Sequence, residues 1–208
     1  MVDLPSVDEV VEPRHLADWL LSHGRSWVTT EEAAELLGIP VEHVSPTLAR
    51  WRRAGHLFSP TRGAYVPIPP EYRNWGVVPA INFVDQMMSH LDHPYYVGLL
   101  SAAEFHGFAH QRPQVFQIVT PARLRDRAFG RVRLNFITVA DISTRPTVTR
   151  NTPTGTLRIS TPEATLLDLV SMPRRGAGLS NVATIAGEML EEDALDLAEL
   201  AVVAEQYP

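Results

Sequence analysis

The chain contains no cysteine and no lysine. Without thiols there are no disulfides, no thiolate zinc sites and no thiol catalysis. Without lysine there is no Schiff-base chemistry and no phosphate-loop lysine. All 18 basic residues are therefore arginines. No apolar run reaches the roughly 18 residues that a membrane helix needs. The start, Met1-Val2-Asp3-Leu4-Pro5, is acidic and lacks the basic opening and apolar centre of a secretory signal. The expected location is the cytoplasm, with no membrane partner. There is no glycine-rich phosphate loop, and neither Ser101 nor Ser160 sits in a nucleophile elbow.

What is present is a chain of 208 residues, 45% apolar and 20% charged, enough for a real core in one domain or two. That composition is not that of a disordered chain. The net charge of −6 is unevenly spread. Residues 1–70 hold 6 arginines against 9 acids, residues 71–187 hold 12 against 8, and residues 188–208 hold 7 acids and no base. The acidic total argues against coating nucleic acid nonspecifically, while the distribution leaves room for basic patches. There is no internal repeat and no low-complexity tract.

The cluster Pro67-Ile68-Pro69-Pro70 can continue neither a helix nor a central strand, so a boundary is expected there. It divides the chain into residues 1–70 and 71–208. In the first part Leu16, Trp19, Leu20 and His23 have helical spacing, with Gly24 as a stop. Thr29 and Glu32 form a capping-box pattern, or Thr30 caps the same turn, before the apolar stripe Ala33, Ala34 and Leu37, which Gly38 ends. After the turn Gly38-Ile39-Pro40, the positions of Val41, Val44, Leu48 and Trp51 predict one buried face of another helix. Pro46 suggests that its regular part starts with Ser45 as N-cap. Two strand-like runs flank the turn Pro60-Thr61-Arg62-Gly63. Helix, helix, tight turn, helix, hairpin is the order of a winged helix-turn-helix.

In such a domain the third helix would present His43, Thr47, Arg50 and Arg53 on the side opposite Val44, Leu48 and Trp51. Arginine reads guanine edges or grips phosphate, and threonine contacts either. Arg62 at the wing tip would reach a phosphate or a minor groove. The second part alternates helix-like and strand-like stretches, an α+β pattern. Strands are expected at 95–97, 115–120, 132–139 and 155–160. Helices are expected at 81–91, 99–107, 161–170, 179–191 and 193–205. Arg123, Arg125, Arg127, Arg131 and Arg133 crowd around a loop and a strand start, a surface for an anionic partner such as nucleic acid, an acidic protein face or the chain's own acidic tail.

Eight histidines raise the question of a metal. His90 and His93 are three apart, and His106 and His110 are four apart, but Gly107 interrupts that helix and no HExxH pattern exists. No metal and no cofactor are expected. Glu163 and Asp168 are five apart and do not share a helical face, so they make a poor nuclease pair with Asp126 or Asp141. No catalytic residues, and no enzyme, are expected.

Several stretches resemble the AbiEi family, the antitoxins of type IV toxin–antitoxin systems. In the first part these are Gly38-Ile39-Pro40 with Leu48-Ala-Arg-Trp-Arg-Arg-Ala-Gly-His-Leu57, and Arg62-Gly-Ala-Tyr-Val66. In the second they are Tyr95-Tyr-Val-Gly-Leu-Leu-Ser-Ala-Ala-Glu-Phe-His-Gly107, Val115-Phe-Gln-Ile-Val-Thr120 and Ser160-Thr-Pro-Glu-Ala-Thr-Leu-Leu-Asp-Leu169. The chain is similar above all to mycobacterial members, in keeping with its lysine-free, arginine-rich composition. The resemblance implies an N-terminal domain that binds double-stranded operator DNA and represses its own operon. It implies a C-terminal domain that counters a nucleotidyltransferase-like toxin without a stable complex, in a monomer or weak dimer. The alternative is a stand-alone winged-helix regulator whose second domain senses a ligand or dimerises.

Overall fold

The computed structural model describes residues 10–108 and 114–207. Its contacts divide the chain into two compact units, the first ending at Met87 and also taking in 129–132, the second comprising the rest from Met88 onward. His110 lies outside the described residues, as do Arg112, Asp3, Asp8 and Glu9.

The first unit is a winged helix-turn-helix. α1 (Leu16–Ser22) is followed by β1 (Val28–Thr29), α2 (Thr30–Leu37), α3 (Val41–Arg53), β2 (Leu57–Phe58) and β3 (Ala64–Pro67). The antiparallel strands lie in the order β1-β3-β2, with Phe58 opposite Val66 and Val28 opposite Tyr65. α2 starts where it does because the Thr29 hydroxyl accepts from the Glu32 amide while the Glu32 carboxylate accepts from the Thr29 amide. It stops at Gly38, whose φ of +63° suits a residue without a Cβ. Leu16, Leu20, Val28, Ala33, Val44 and Leu48 are fully buried and form the core between the helices and the small sheet.

Two expectations for α3 are corrected. The helix starts at Val41 after Pro40, not at Ser45, and carries Pro46 in its interior. Proline fixes a helical φ, so it fits the path while forfeiting the bond its missing N–H would make to the Glu42 carbonyl. The buried face is also shorter than its spacing predicts. Val44 and Leu48 are buried and Trp51 half-buried, but Val41 is exposed because it precedes the first turn that meets the core. After β3 the chain runs through two 3-10 turns, Pro70–Trp75 and Ala80–Asn82, into α4 (Val84–His90).

The second unit is built on a mixed six-stranded sheet. Its strands are β4 (Tyr96–Val97), β5 (Phe116–Thr120), β6 (Arg127–Phe129), β7 (Val132–Thr138), β8 (Thr147–Thr152) and β9 (Gly155–Ser160), in the order β6-β7-β5-β4-β9-β8. β5 runs parallel to β7 and β4 parallel to β9, while β4–β5 and β8–β9 are antiparallel. Alternation in β9 sends Leu157 and Ile159 inward. β8, on the rim, is polar apart from the half-buried Val148 and carries Arg150. β6 and β8 lack the long apolar runs that announce a strand, which is why neither is legible in the sequence.

The helices of this unit are α5 (Leu99–His106), α6 (Pro162–Ser171), α7 (Leu179–Glu191) and α8 (Leu197–Ala204). α6 begins with Thr161 as N-cap, its side chain accepting from the Ala164 amide, and with Pro162 at the first position. Tyr96, Leu99, Val119, Leu169, Ile185 and Met189 share its core. Among the described residues no helix is long and apolar enough to cross a membrane.

Candidate nucleic-acid interface

The face of α3 opposite its core is cationic. His43, Arg50 and Arg53 are exposed and Thr47 is half-buried, while Val44 and Leu48 anchor the other side. The guanidinium of Arg50 lies 5.5 Å from the centre of the Trp51 ring, which limits its freedom without shielding it from solvent. Arg53 Nε donates to the Ala49 carbonyl at 3.3 Å, one turn back. The last turn of α3 therefore holds Arg50, Arg52 and Arg53, cations at the negative end of the helix dipole. Arg52, which the sequence does not single out, lies 6.0 Å from the centre of the Tyr65 ring on β3. Helical phase puts it four residues after buried Leu48, so spacing alone assigns it to the flank of the core. Arg62 is exposed in the turn between β2 and β3.

The second arginine group draws on both units. Arg123, Arg125 and Arg133 are exposed in the second unit, and Arg127 is half-buried with its guanidinium 5.8 Å from the Phe136 ring centre. Burial lowers the Arg127 pKa from its ordinary value. Arg131 belongs to the first unit, 5.4 Å from the Trp75 ring centre. Asp126, beside this group, is occupied internally and accepts from the Asn135 side chain and the Phe136 amide.

No spacing rule reveals a polar knot in the second unit. The Tyr96 and Tyr207 hydroxyls each donate to the Asp168 carboxylate at 3.0 Å, and Tyr207 is also 3.0 Å from the Ala164 carbonyl. The Arg145 guanidinium sits 3.4 Å above the Tyr207 ring and donates to the Gln206 carbonyl. Asp168 is 1% exposed, and its burial pushes its pKa up to about 6 against the two hydroxyl donors that favour the charged form. Burial and the neighbouring carboxylate push both tyrosine hydroxyls well above their ordinary range. Glu163 accepts from the Asp196 amide at the start of α8. The two carboxylates of α6 thus hold the α8 segment at both ends, Glu163 at its start and Asp168 through Tyr207 beyond its last turn. His106 donates from Nε2 to the Ser160 carbonyl at 2.8 Å, and its burial lowers its pKa. Among the described residues no three histidine or acidic side chains converge as metal ligands would.

A family model of the AbiEi antitoxin C-terminal domain matches residues 96–208. The chain belongs to the AbiEi antitoxin family. The match starts at Tyr96, so the segment of the antitoxin that it covers includes the whole Tyr96–Asp168–Tyr207 knot. A search among curated proteins returns no match. Among solved structures, the antitoxin is similar to the crystal structure of RV2827C protein from Mycobacterium tuberculosis. That pair is 18% identical with a TM-score of 0.64, over 100% of this chain and 76% of the other. At that identity the likeness shows a shared fold.

Proposed function

We propose that this antitoxin is a type IV antitoxin and autorepressor. Its winged helix binds double-stranded operator DNA, and its second unit counters a nucleotidyltransferase-like toxin in the cytoplasm without a stable complex. The observation that carries the DNA reading is α3, a solvent-facing helix with Arg50 and Arg53 exposed on the side away from a fully buried Val44 and Leu48. His43, Thr47, Arg50 and Arg53 would face the groove and Arg62 would meet the backbone. Arg123, Arg125, Arg127 and Arg133, with Arg131 of the first unit, would serve as a secondary surface for an anionic partner. On this reading the antitoxin has no reaction of its own, and its lysine-free composition fits a GC-rich source such as a mycobacterium.

The experiment is a gel shift with DNA from upstream of the gene. Arg50→Ala with Arg53→Ala should weaken binding about tenfold or more and lower the salt slope by about 0.9 for each phosphate no longer gripped. The same full-length variant, expressed with the toxin encoded by the adjacent gene, should still rescue growth while failing to repress a reporter. Unchanged DNA affinity would remove these arginines from the account, and lost rescue would join the two activities that the proposal separates.

A further inference from the structure

A cleft of about 520 Å³ opens in the first unit where α3 ends. Arg52 and Arg53 of α3 and Arg73 of the following 3-10 turn line it, with Asn74, Trp75 and Gly76. Three of its lining side chains are cationic and none is acidic. Trp75 is 42% exposed, a large aromatic surface open to solvent beside the guanidinium groups. We propose that this cleft is a phosphate-binding site, filled by a DNA backbone phosphate beyond α3 or by the phosphate of a free nucleotide.

The chemistry favours an oxyanion over other ligands. A guanidinium presents its donors in a planar fork that matches two phosphate oxygens at once. Arg73 is held in place by Asp18, whose carboxylate takes one terminal nitrogen at 2.7 Å. Its buried Nε has no protein acceptor among the described residues. Gly76 turns the chain at φ +67° at the edge of the cleft, so no side chain projects there. The end of α3 contributes about half a negative charge from its unpaired carbonyls, which opposes an anion. Arg52 and Arg53 offset that, and Arg73 adds a further positive charge that is only partly cancelled by Asp18. A phosphate on the arginines would leave an attached sugar or base beside Trp75, where stacking on an aromatic face tolerates any base. A DNA phosphate in the same place would carry the backbone past the end of α3.

The DNA source rests on the reading of α3 above, and the free-nucleotide source does not. The test uses the full chain and three variants. Arg52→Gln removes a cation from the cleft. Asn74→Glu puts a carboxylate into it while leaving every arginine in place. Asn151→Glu, on β8 of the second unit, controls for net charge. Calorimetry with inorganic phosphate and ATP measures the small ligands, and anisotropy with a labelled operator duplex measures DNA. If DNA fills the cleft, Arg52→Gln and Asn74→Glu weaken the duplex at least tenfold, Arg52→Gln lowers the salt slope by about one, and Asn151→Glu does neither. If a free nucleotide fills it, wild type binds ATP, both cleft variants lose at least tenfold and the duplex affinity stays. Duplex binding that is weakened by Arg50→Ala but not by Arg52→Gln or Asn74→Glu overturns this proposal and leaves the α3 reading standing. ATP binding that depends on the cleft, with no duplex binding, does the reverse. Unchanged affinity for all three probes in both cleft variants overturns it, as does wild type binding none of them.

Discussion

Asp168 sits among hydroxyl groups in a place that disfavours its charge. Its folded pKa of about 6 lies above the ordinary 3.8, so the protonated form is the one the fold prefers. The stability it contributes is complete below pH 4 and is lost as pH rises through about 6. A shift of about two units corresponds to roughly 2–3 kcal/mol across that window. Urea unfolding of wild type and Asp168→Asn at pH 4.5 and 7.5 should therefore show a fall in wild type that the variant lacks. Equal pH slopes in the two proteins would mean that the carboxyl is not protonated where expected. Tyr207→Phe removes one donor and should cost about 1–2 kcal/mol above pH 6, where the carboxylate most needs it. A Thr29→Ala chain loses the capping box of α2 and should unfold about 1 kcal/mol more easily.

At the level of elements, Pro46 in the middle of α3 is the sharpest local conflict. Proline inside a helix costs roughly 3 kcal/mol relative to alanine, part of which its restricted unfolded chain recovers. Pro46→Ala should raise stability by about 1–2 kcal/mol, read as an increase in the urea midpoint at unchanged m-value. No gain would mean that the ring packs against something worth as much as the missing bond.

The capping box of α2, the glycine stops and the alternating strands are legible in the sequence because each depends on neighbours within a few residues. The start of α3 is not, since a proline that usually opens a helix is tolerated here as its sixth residue. The two-residue β1 is not legible either, because its strand character comes only from pairing with β3. Of the candidate site, the exposed arginines of α3 follow from helical phase. The cleft beside them needs Arg73 and Trp75, some twenty residues further on, and only folding brings these together. The Asp168 knot joins residues from Tyr96 to Tyr207, a span no spacing rule covers.

Across the whole molecule the charges are segregated by stretch, with seven acids and no base after residue 187. A net-acidic chain that binds DNA must do so through contacts shorter than the screening length, about 8 Å at 0.15 M salt and about 30 Å at 0.01 M. Neutralising Glu191, Glu192 and Asp193, all exposed, as Glu191→Gln, Glu192→Gln and Asp193→Asn removes repulsion without touching the proposed contacts. Asparagine tolerates the left-handed backbone of Asp193, at φ +51°. The association rate with a duplex should rise at 0.01 M salt and stay level at 0.15 M. A rise at both would place these acids beside the DNA.

The polar rim at β8 bears on how other macromolecules meet this protein. Thr147, Thr149, Arg150 and Asn151 leave only the half-buried Val148 as apolar surface for a foreign strand to lie against, and the Arg150 guanidinium discourages stacking of copies into fibrils. Recruitment by main-chain zippering along this border is thereby disfavoured, so an arriving molecule would be gripped by the tips of side chains. Ionic strength, more than peptide complementarity, would then govern what sticks.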